Sequence, residues 1–582
     1  MFKKCIFILA TSCMMYSCTT QTETNPFLTE FQTEHGVPPF DKIKLEHYEP
    51  AFLKGIEEQN ANIDAIVNNS EAPTFENVIV ALDNSSPILD RVSAIFYNMT
   101  EAETTDDLKE LSIKLAPTLS EHSDNISLNQ DLFKKVDAVY QQKDALGLTT
   151  EQQRLLEETY KGFVRSGANL SPEKQARLRE VNKELSTLGI KFSDNVLNEN
   201  NAFKLYIDKE EDLAGLPDWF RQSAAEKAKE DGQEGKGEKL EAWDWWFYTE
   251  KLRKEKYNLE EDEIKPYFKL ENVREGAFAV ANKLYGITLT KLEGIPVYHP
   301  DVEVFEVKDA DGSHLGVFYV DYFPRPGKSG GAWMSNYREQ QGAIRPLVCN
   351  VCSFTQPVGD IPSLLTIDEV ETLFHEFGHA LHGLLTKCNY KGISGTNVAR
   401  DFVELPSQIN EHWATEPEVL KMHAKHYQTG ETIPDSLIEK ILNQKTFNQG
   451  FMTTELLAAA ILDMNLHNLT DTQNLDVLAY EKEAMDKLGL IPEIAPRYRT
   501  TYFNHIIGGY AAGYYSYLWA NVLDNDAFEA FKEHGIFDKK TADLFRNNVL
   551  EKGNSEDPMT LYKNFRGTEP QLEPMLKNRG MK

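Results

Sequence analysis

The chain has few cysteines for its length. Six occur in 582 residues, and three of them fall within the first 18 positions. Cys349 and Cys352 form a single C-x-x-C without a second pair, inside an apolar run that is typical of a strand. With Cys388 as the only other cysteine beyond those positions, we interpret these residues as buried thiols and not as a metal knuckle or a redox pair.

Positive charge is also scarce. Lys and Arg together number 61 against 91 Asp and Glu, which gives a formal net charge of −30. An acidic surface repels phosphate backbones and anionic lipid headgroups, so the charge argues against nucleic acid or an anionic membrane as a partner. The same charge suits a soluble protein that must stay dispersed.

The chain opens on a hydrophobic run that is too short to span a bilayer. This run extends from Cys5 to Tyr16, follows two lysines and leads into Ser17-Cys18. Residues 1–18 therefore resemble a bacterial lipoprotein signal, with Cys18 as the lipidated first residue of the mature chain. We expect an exported protein of the periplasm or cell envelope that is anchored through Cys18. The alternative is an ordinary cleaved signal peptide.

After the leader, the pattern is mainly helical with a short β region. Residues 19–240 show apolar positions at three- and four-residue spacings, which predicts an N-terminal helical lobe. Residues 241–582 form the expected catalytic domain, in which residues 299–323 predict a β-hairpin and residues 345–354 a third strand. Residues 241–253 contain three Trp, and we expect this segment to be buried in the catalytic body.

A segment that begins at Thr366 carries the order H-E-x-x-H. Thr366 and Glu369 can form a capping box, and an apolar stripe predicts one helix. Because positions i and i+4 share a helix face, His375 and His379 can reach one metal ion while Glu376 projects toward a metal-bound water. The alternative is that both histidines are hydrogen-bonded to neighbours and Glu376 is solvated.

A third metal ligand is expected at Glu404. Ser407, Gln408 and Glu411 follow it at +3, +4 and +7, so these residues form one polar stripe on an otherwise apolar helix. A polar stripe that faces inward needs a partner. A zinc ion needs a third protein ligand and keeps its fourth position for water, and Glu404 can fill that place. Pro406 should bend or open this turn.

A tyrosine-rich segment lies nearer the C-terminus. Gly508-Gly509 loosens its backbone, and Tyr510, Tyr514 and Tyr517 then follow at +4 and +3, which predicts one shared helical face. A phenol can donate to the oxyanion that develops during peptide hydrolysis, and we favour Tyr510 and Tyr517 for that role. His505 could donate likewise. The alternative is that the tyrosines pack in the core.

Four segments together resemble the thimet oligopeptidase family of zinc metallopeptidases, and within it the bacterial peptidyl-dipeptidases. They are HEFGHALHG, SGTNVARDFVELPSQINEHW, FNHIIGGYAAGYYSYLW and GNSEDPMTLYKNFRGTEPQLEPMLKNRGM. The resemblance implies a mainly α-helical, two-lobed, zincin-like body with a small β-sheet beside the active-site helix, and one zinc ion in a channel. It also implies roles for seven residues: His375, His379 and Glu404 as zinc ligands, Glu376 as general base, and His505, Tyr510 and Tyr517 as substrate and transition-state contacts.

The function that this resemblance implies is the release of C-terminal dipeptides from short peptides. Such a peptidyl-dipeptidase must pin the free carboxylate of its substrate, and Arg566, Arg345 and Tyr514 are candidates. A helical segment that the family carries is missing near residue 238. The alternatives are therefore an endo-acting oligopeptidase with the same zinc site, or an inactive envelope protein that binds zinc and peptide. The oligomeric state stays open, with a monomer expected.

Overall fold

The computed structural model describes residues 25–204, 245–491 and 494–582. The predicted leader at 1–18, the lipid anchor at Cys18 and the junction near residue 238 lie outside the described residues. Within the described ranges, no helix combines the length and the apolar character needed to cross a membrane.

The N-terminal part of the chain is helical, as its apolar spacing predicts. Hydroxyl and amide side chains begin several of these helices, because they accept the backbone N–H groups that the first turn leaves unpaired; Thr105, Asn129, Thr149 and Ser171 do so. The helices are Leu45–Val67, Ala81–Asp83, Pro87–Ala102, Asp106–Ser127, Gln130–Tyr140, Thr150–Arg165 and Pro172–Ala202, with a π-helical turn at Phe75–Val80.

The β region forms one five-stranded mixed sheet. Its strands are β1 (Thr288–Lys291), β2 (Glu303–Lys308), β3 (His314–Asp321), β4 (Trp333–Arg338) and β5 (Leu347–Val351), in the order β1-β2-β3-β5-β4. The predicted hairpin is β2–β3, and the predicted third strand is β5, which pairs in parallel with β3. The two edge strands, β1 and β4, are short and partly exposed, and local sequence patterns do not predict them.

Helices enclose the sheet and fill the rest of the catalytic part. From residue 245 onward, three helices precede the sheet: Trp245–Tyr257, Glu261–Ile264 and Leu270–Tyr285. Those that follow it are Ile367–Leu385, Leu405–Ala414, Pro417–His423, Asp435–Gln444, Gln449–His467, Val477–Leu488, Ser516–His534, Lys539–Phe545, Pro558–Arg566 and Glu573–Asn578, with a π-helical turn at Arg546–Leu550.

The two faces of the sheet pack against different parts of the chain. Alternate residues of a strand point to opposite faces, and Phe318 joins the core of the catalytic helices while its neighbour Tyr319 joins a core with Phe27 and Phe52. The sheet is thus sandwiched between the N-terminal segment on one side and Ile367–Leu385 on the other.

Two expectations about buried residues have different outcomes. Cys349, Cys352 and Cys388 are free, buried thiols, as predicted, and burial raises the pKa of Cys349 to about 12. For the described part of the Trp-rich segment, residues 245–253, the expectation of burial is wrong. Trp245 stacks on Phe451, but Trp246 is 52% exposed, because the helix Trp245–Tyr257 packs along one side only.

Candidate metal centre

The H-E-x-x-H sequence lies in the helix Ile367–Leu385, which we call the motif helix. The predicted capping box is present: the backbone N–H of Glu369 donates to Thr366 Oγ1, and the carboxylate of Glu369 accepts the N–H of Thr366. Val370, Phe374 and Phe377 are buried in the core against the sheet. The helix is therefore fixed by its cap at one end and by its apolar stripe along its length.

Glu404 is the residue immediately before the helix Leu405–Ala414, which we call the carboxylate helix. Pro406 lies in the first turn of this helix, where its missing N–H costs no intrahelical hydrogen bond, so the helix starts at Leu405 and Glu404 precedes it. A Cβ atom at Gly378 would lie 2.3 Å from the carbonyl oxygen of Pro406. Glycine at 378 thus lets the carboxylate helix approach the motif helix closely enough to present Glu404.

The three predicted ligands converge on one point. Oε2 of Glu404 lies 3.3 Å from Nε2 of His375 and 3.1 Å from Nε2 of His379. These distances are close to the separation of about 3.3 Å between neighbouring ligand atoms of a tetrahedral zinc ion. Glu404 is only 2% exposed. Burial alone would raise the pKa of Glu404, but the imidazoles of His379 and His375 outweigh it and hold that pKa well below its ordinary value.

Further side chains orient these ligands, as the polar stripe on the carboxylate helix predicts. Oε1 of Glu411 lies 2.6 Å from Nδ1 of His375, on the opposite side of the ring from Glu404. Ser407 Oγ donates to Oε2 of Glu404 at 2.9 Å, and the phenol of Tyr510 donates to Oε1. Partners of this kind fix ring orientation and ligand basicity.

The donor set fits a zinc ion, and two buried atoms near it support the fit. Glu376 is 4% exposed, and its Oε2 has no hydrogen-bond partner among the described residues; the same holds for Nδ1 of His379. A buried carboxylate oxygen without a partner costs free energy unless a cation or a water satisfies it. Burial also raises the pKa of Glu376, against the opposing effect of His375 and His379.

The structure brings His505, Tyr510 and Tyr517 to the same cluster, but not on one helix. The prediction of a shared helical face is wrong for Tyr510 and Tyr514, because the helix begins only at Ser516. The rings of Tyr510 and Tyr517 stack with centroids 5.2 Å apart, and the His505 ring lies 5.9 and 6.0 Å from them.

A buried carboxylate that the sequence analysis missed holds this loop. Asp463 is fully buried, and its two oxygens accept the backbone N–H groups of Ala512 and Tyr514, each at 2.9 Å. Ala512 has φ of 51°, a conformation that costs a non-glycine residue energy. No sequence pattern marks Asp463, which lies within an apolar helix far from the loop in sequence.

A cavity of about 590 Å³ opens beside the cluster. Its lining includes His375, Glu376, Glu411, His505 and Tyr517, and also Tyr514, Arg497, Asn521 and Arg579. Of the three candidates for binding a substrate carboxylate, only Tyr514 lines it.

The two arginine candidates are wrong because the fold uses both elsewhere. Arg345 donates to the carbonyl oxygens of Leu384 and Thr386 and so caps the end of the motif helix. Arg566 pairs with Glu533. Neither lines the cavity, whose arginines within the described part of the chain are Arg497 and Arg579.

Comparison with known proteins identifies the family. The sequence profile of Peptidase family M3 matches residues 198–581 of this chain. This chain belongs to peptidase family M3. The dipeptidyl carboxypeptidase of Salmonella typhimurium is 38% identical over 677 residues, which cover 96% of this chain and 99% of that relative. In Escherichia coli, the dipeptidyl carboxypeptidase is 37% identical and oligopeptidase A 31% identical, each alignment covering 96% of this chain and 100% of the relative.

This M3 metallopeptidase is shorter than the alignment with its relative from Salmonella typhimurium. The alignment spans 677 residues and the chain has 582, so the relative has residues without a counterpart here. That the missing residues lie near residue 238 stays a prediction.

A solved structure has a similar fold. PZ peptidase A with inhibitor 2 is 13% identical and superposes with a TM-score of 0.51, over 93% of this chain and 97% of its own. That likeness supports the mainly helical fold alone.

Proposed function

We propose that this M3 metallopeptidase hydrolyses short peptides with one zinc ion and releases C-terminal dipeptides. The observation that carries the proposal is the convergence of His375, His379 and Glu404 next to a buried Glu376 on a cavity wall. A zinc ion held by these three ligands would supply Lewis acidity, which polarises a scissile carbonyl and lowers the pKa of a water molecule.

Glu376 has the role of general base. It follows the ligand His375 directly in the helix, and its Oε2 is buried without a hydrogen-bond partner among the described residues. A carboxylate in that environment accepts a proton more readily than a solvated one, since burial disfavours its charged form. Glu376 takes the proton of the attacking water and then passes it to the leaving amine.

Tyr510, Tyr517 and His505 stabilise the charge that develops on the carbonyl oxygen. Burial raises the pKa of both phenols, so they remain protonated donors at neutral pH. Burial also lowers the pKa of His505 to about 4, so its imidazole is neutral under the same conditions. Donors held beside the reacting carbonyl stabilise an oxyanion more effectively than water does. Tyr510 becomes such a donor when its O–H turns from Glu404 Oε1 to the oxyanion.

Arg579 supplies the feature that favours dipeptide release over internal cleavage. It lines the cavity, and its three hydrogen bonds within the described residues go to neutral oxygens: Nε and Nη2 donate to Asn521 Oδ1, and Nη1 to Thr453 Oγ1. An arginine has five N–H donors, so two remain for the C-terminal carboxylate of a peptide. Arg579 therefore takes the role for which the sequence had suggested Arg345 or Arg566.

Two measurements test the proposal. Glu376→Gln should retain zinc and lose peptide hydrolysis, because the amide cannot accept the proton. Turnover near the wild-type rate would overturn the mechanism.

Mass spectrometry of products from an N-blocked peptide, with and without a C-terminal amide, tests the mode of cleavage. Amidation should suppress hydrolysis, whereas an endo-acting enzyme would cut both peptides. Binding of zinc and peptide without any hydrolysis would instead favour the inactive binding protein.

A further inference from the structure

A second group of metal-ligating side chains lies away from the catalytic cluster. His35, Glu306 and His314 each place one nitrogen or carboxylate oxygen within 4.8 Å of the other two. Oε1 of Glu306 lies 3.1 Å from Nδ1 of His314 and 3.9 Å from Nε2 of His35. The donor set, two imidazoles and one carboxylate, is the same as in the catalytic cluster, and it suits zinc.

The three residues join parts of the chain that are distant in sequence. His35 belongs to the N-terminal segment, Glu306 to β2, and His314 begins β3. Glu306 shares a strand face with Val304, which packs in the core containing Phe27. The motif helix packs against the other face of the sheet, so this cluster and the catalytic one lie on opposite sides.

None of the catalytic chemistry uses this cluster. The side chains of His35, Glu306 and His314 are 21%, 14% and 27% exposed, so a metal ion in solution can reach them.

The position of His35 is fixed by its neighbours. The His35 ring stacks on the His314 ring with centroids 4.3 Å apart. His35 itself has φ of 56°, a left-handed conformation that histidine adopts only at a cost. Arg338 donates to the His35 carbonyl and holds that conformation.

We propose that His35, Glu306 and His314 bind a structural Zn²⁺ ion that ties the N-terminal segment to the β-sheet. Structural zinc sites are four-coordinate, and Glu34 is the fourth donor, since its Oε1 lies 3.8 Å from the same Nε2 of His35. Lys308 contacts the other oxygen of Glu306, Oε2, at 3.0 Å and leaves Oε1 to the metal.

Binding requires a small adjustment of the ligands. Neighbouring donors of a tetrahedral zinc ion lie about 3.3 Å apart, so Nε2 of His35 must approach Oε1 of Glu306 from its 3.9 Å, and Glu34 must approach His35. The first movement requires the His35 ring to turn out of its stack on His314. The Glu34 side chain is 71% exposed, so it can turn toward His35.

Zinc stoichiometry of the full mature chain tests this proposal. After removal of metal with a chelator and titration with Zn²⁺, the wild-type chain should bind two ions. His35→Asn and His314→Gln should each bind one and keep peptide hydrolysis. Asparagine suits residue 35 because it tolerates the left-handed conformation. His299→Gln, at another partly exposed histidine, is the matched control and should bind two ions.

Removal of the catalytic ligands gives the converse experiment. The variant His375→Gln/His379→Gln should lose hydrolysis but retain one zinc ion, and that ion should raise its Tm. Addition of His35→Asn to this variant should abolish both the binding and the rise in Tm. The proposal is overturned if the wild-type chain binds a single ion, or if His35→Asn and His314→Gln each bind as many ions as the wild type. Such results would leave the catalytic site unaffected.

Discussion

Glu411 Oε1 lies 2.6 Å from Nδ1 of His375, while Nε2 of the same ring faces Glu404. The His375 ring therefore lies between two carboxylates, Glu404 within the metal cluster and Glu411 outside it. Glu411 holds the hydrogen on Nδ1, which leaves the lone pair of Nε2 for a metal ion.

Glu411→Gln should weaken zinc binding by about 10- to 100-fold, because a neutral amide orients the ring less firmly and makes it a weaker base. Titration against a competing chelator measures the change. Glu418→Gln, on the exposed surface of the next helix, is the control and should bind zinc as the wild type does. Unchanged affinity in Glu411→Gln would show that the contact has no role in ligation.

Tyr510→Phe should lower kcat by about 10²- to 10³-fold with little change in KM, the effect expected for loss of an oxyanion donor. The same variant also loses the hydrogen bond to Glu404 Oε1, so zinc content must be measured in parallel. Tyr515→Phe, at a neighbouring tyrosine that is 43% exposed, should retain full activity. If Tyr510→Phe retains both zinc and kcat, the phenol has no catalytic role.

Gly378→Ala should lower both Tm and zinc content. The added Cβ would lie 2.3 Å from the Pro406 carbonyl oxygen, and this backbone contact can be relieved only by moving the carboxylate helix away. Gly162→Ala, in the helix Thr150–Arg165, has open space around its Cβ. That control should be stabilised by up to about 1 kcal/mol. A Gly378→Ala variant with wild-type Tm and zinc content would contradict this close packing of the two helices.

Local sequence patterns predict the motif helix well because each of its determinants is local. The Thr366–Glu369 capping box and the apolar stripe specify the helix, and the helical period places His375 and His379 on one face. Glu404 is predictable for a related reason, since Ser407 and Glu411 follow it at helical spacing. Ser407 donates to the Glu404 carboxylate, and Glu411 contacts the His375 ring.

The parts that the sequence does not predict depend on contacts between distant residues. The tyrosines leave the expected helix because Asp463, about fifty positions earlier in the chain, binds the backbone N–H groups at 512 and 514. Arg345 looks like a free cation in the sequence, yet it caps the motif helix. Trp246 is exposed although its segment is rich in aromatic residues, because burial needs neighbours on both sides.

Arg579→Met should reduce kcat/KM by about 100-fold for a peptide with a free C-terminal carboxylate and leave hydrolysis of the matching C-terminal amide unchanged. Loss of a charged hydrogen-bonded contact typically costs 2 to 5 kcal/mol or more. Arg566→Met is the control, because Arg566 pairs with Glu533 outside the cavity. Equal kinetic effects of Arg579→Met on both peptides would exclude a contact with the carboxylate.

His423 should make the fold sensitive to acid. Burial lowers its pKa to about 4, and neither ring nitrogen has a hydrogen-bond partner among the described residues. Its pKa in an unfolded chain is about 6.5, so the unfolded state binds the proton more tightly. Its contribution to stability is therefore complete above about pH 6.5 and is lost as pH falls toward 4, by about 3 kcal/mol in total.

His423→Leu should reduce this loss. With metal removed from both proteins, the Tm of the wild type should fall more steeply between about pH 7 and about pH 5 than the Tm of the variant. Parallel pH profiles of Tm would show that His423 does not carry the effect.

Anomalous X-ray scattering at the zinc edge, measured on crystals of the purified protein grown with zinc, shows directly whether the three side chains hold a zinc ion. We expect a strong anomalous peak bounded by Nε2 of His375, Nε2 of His379 and the Glu404 carboxylate. An active enzyme whose crystals show no anomalous peak between these three side chains would contradict it.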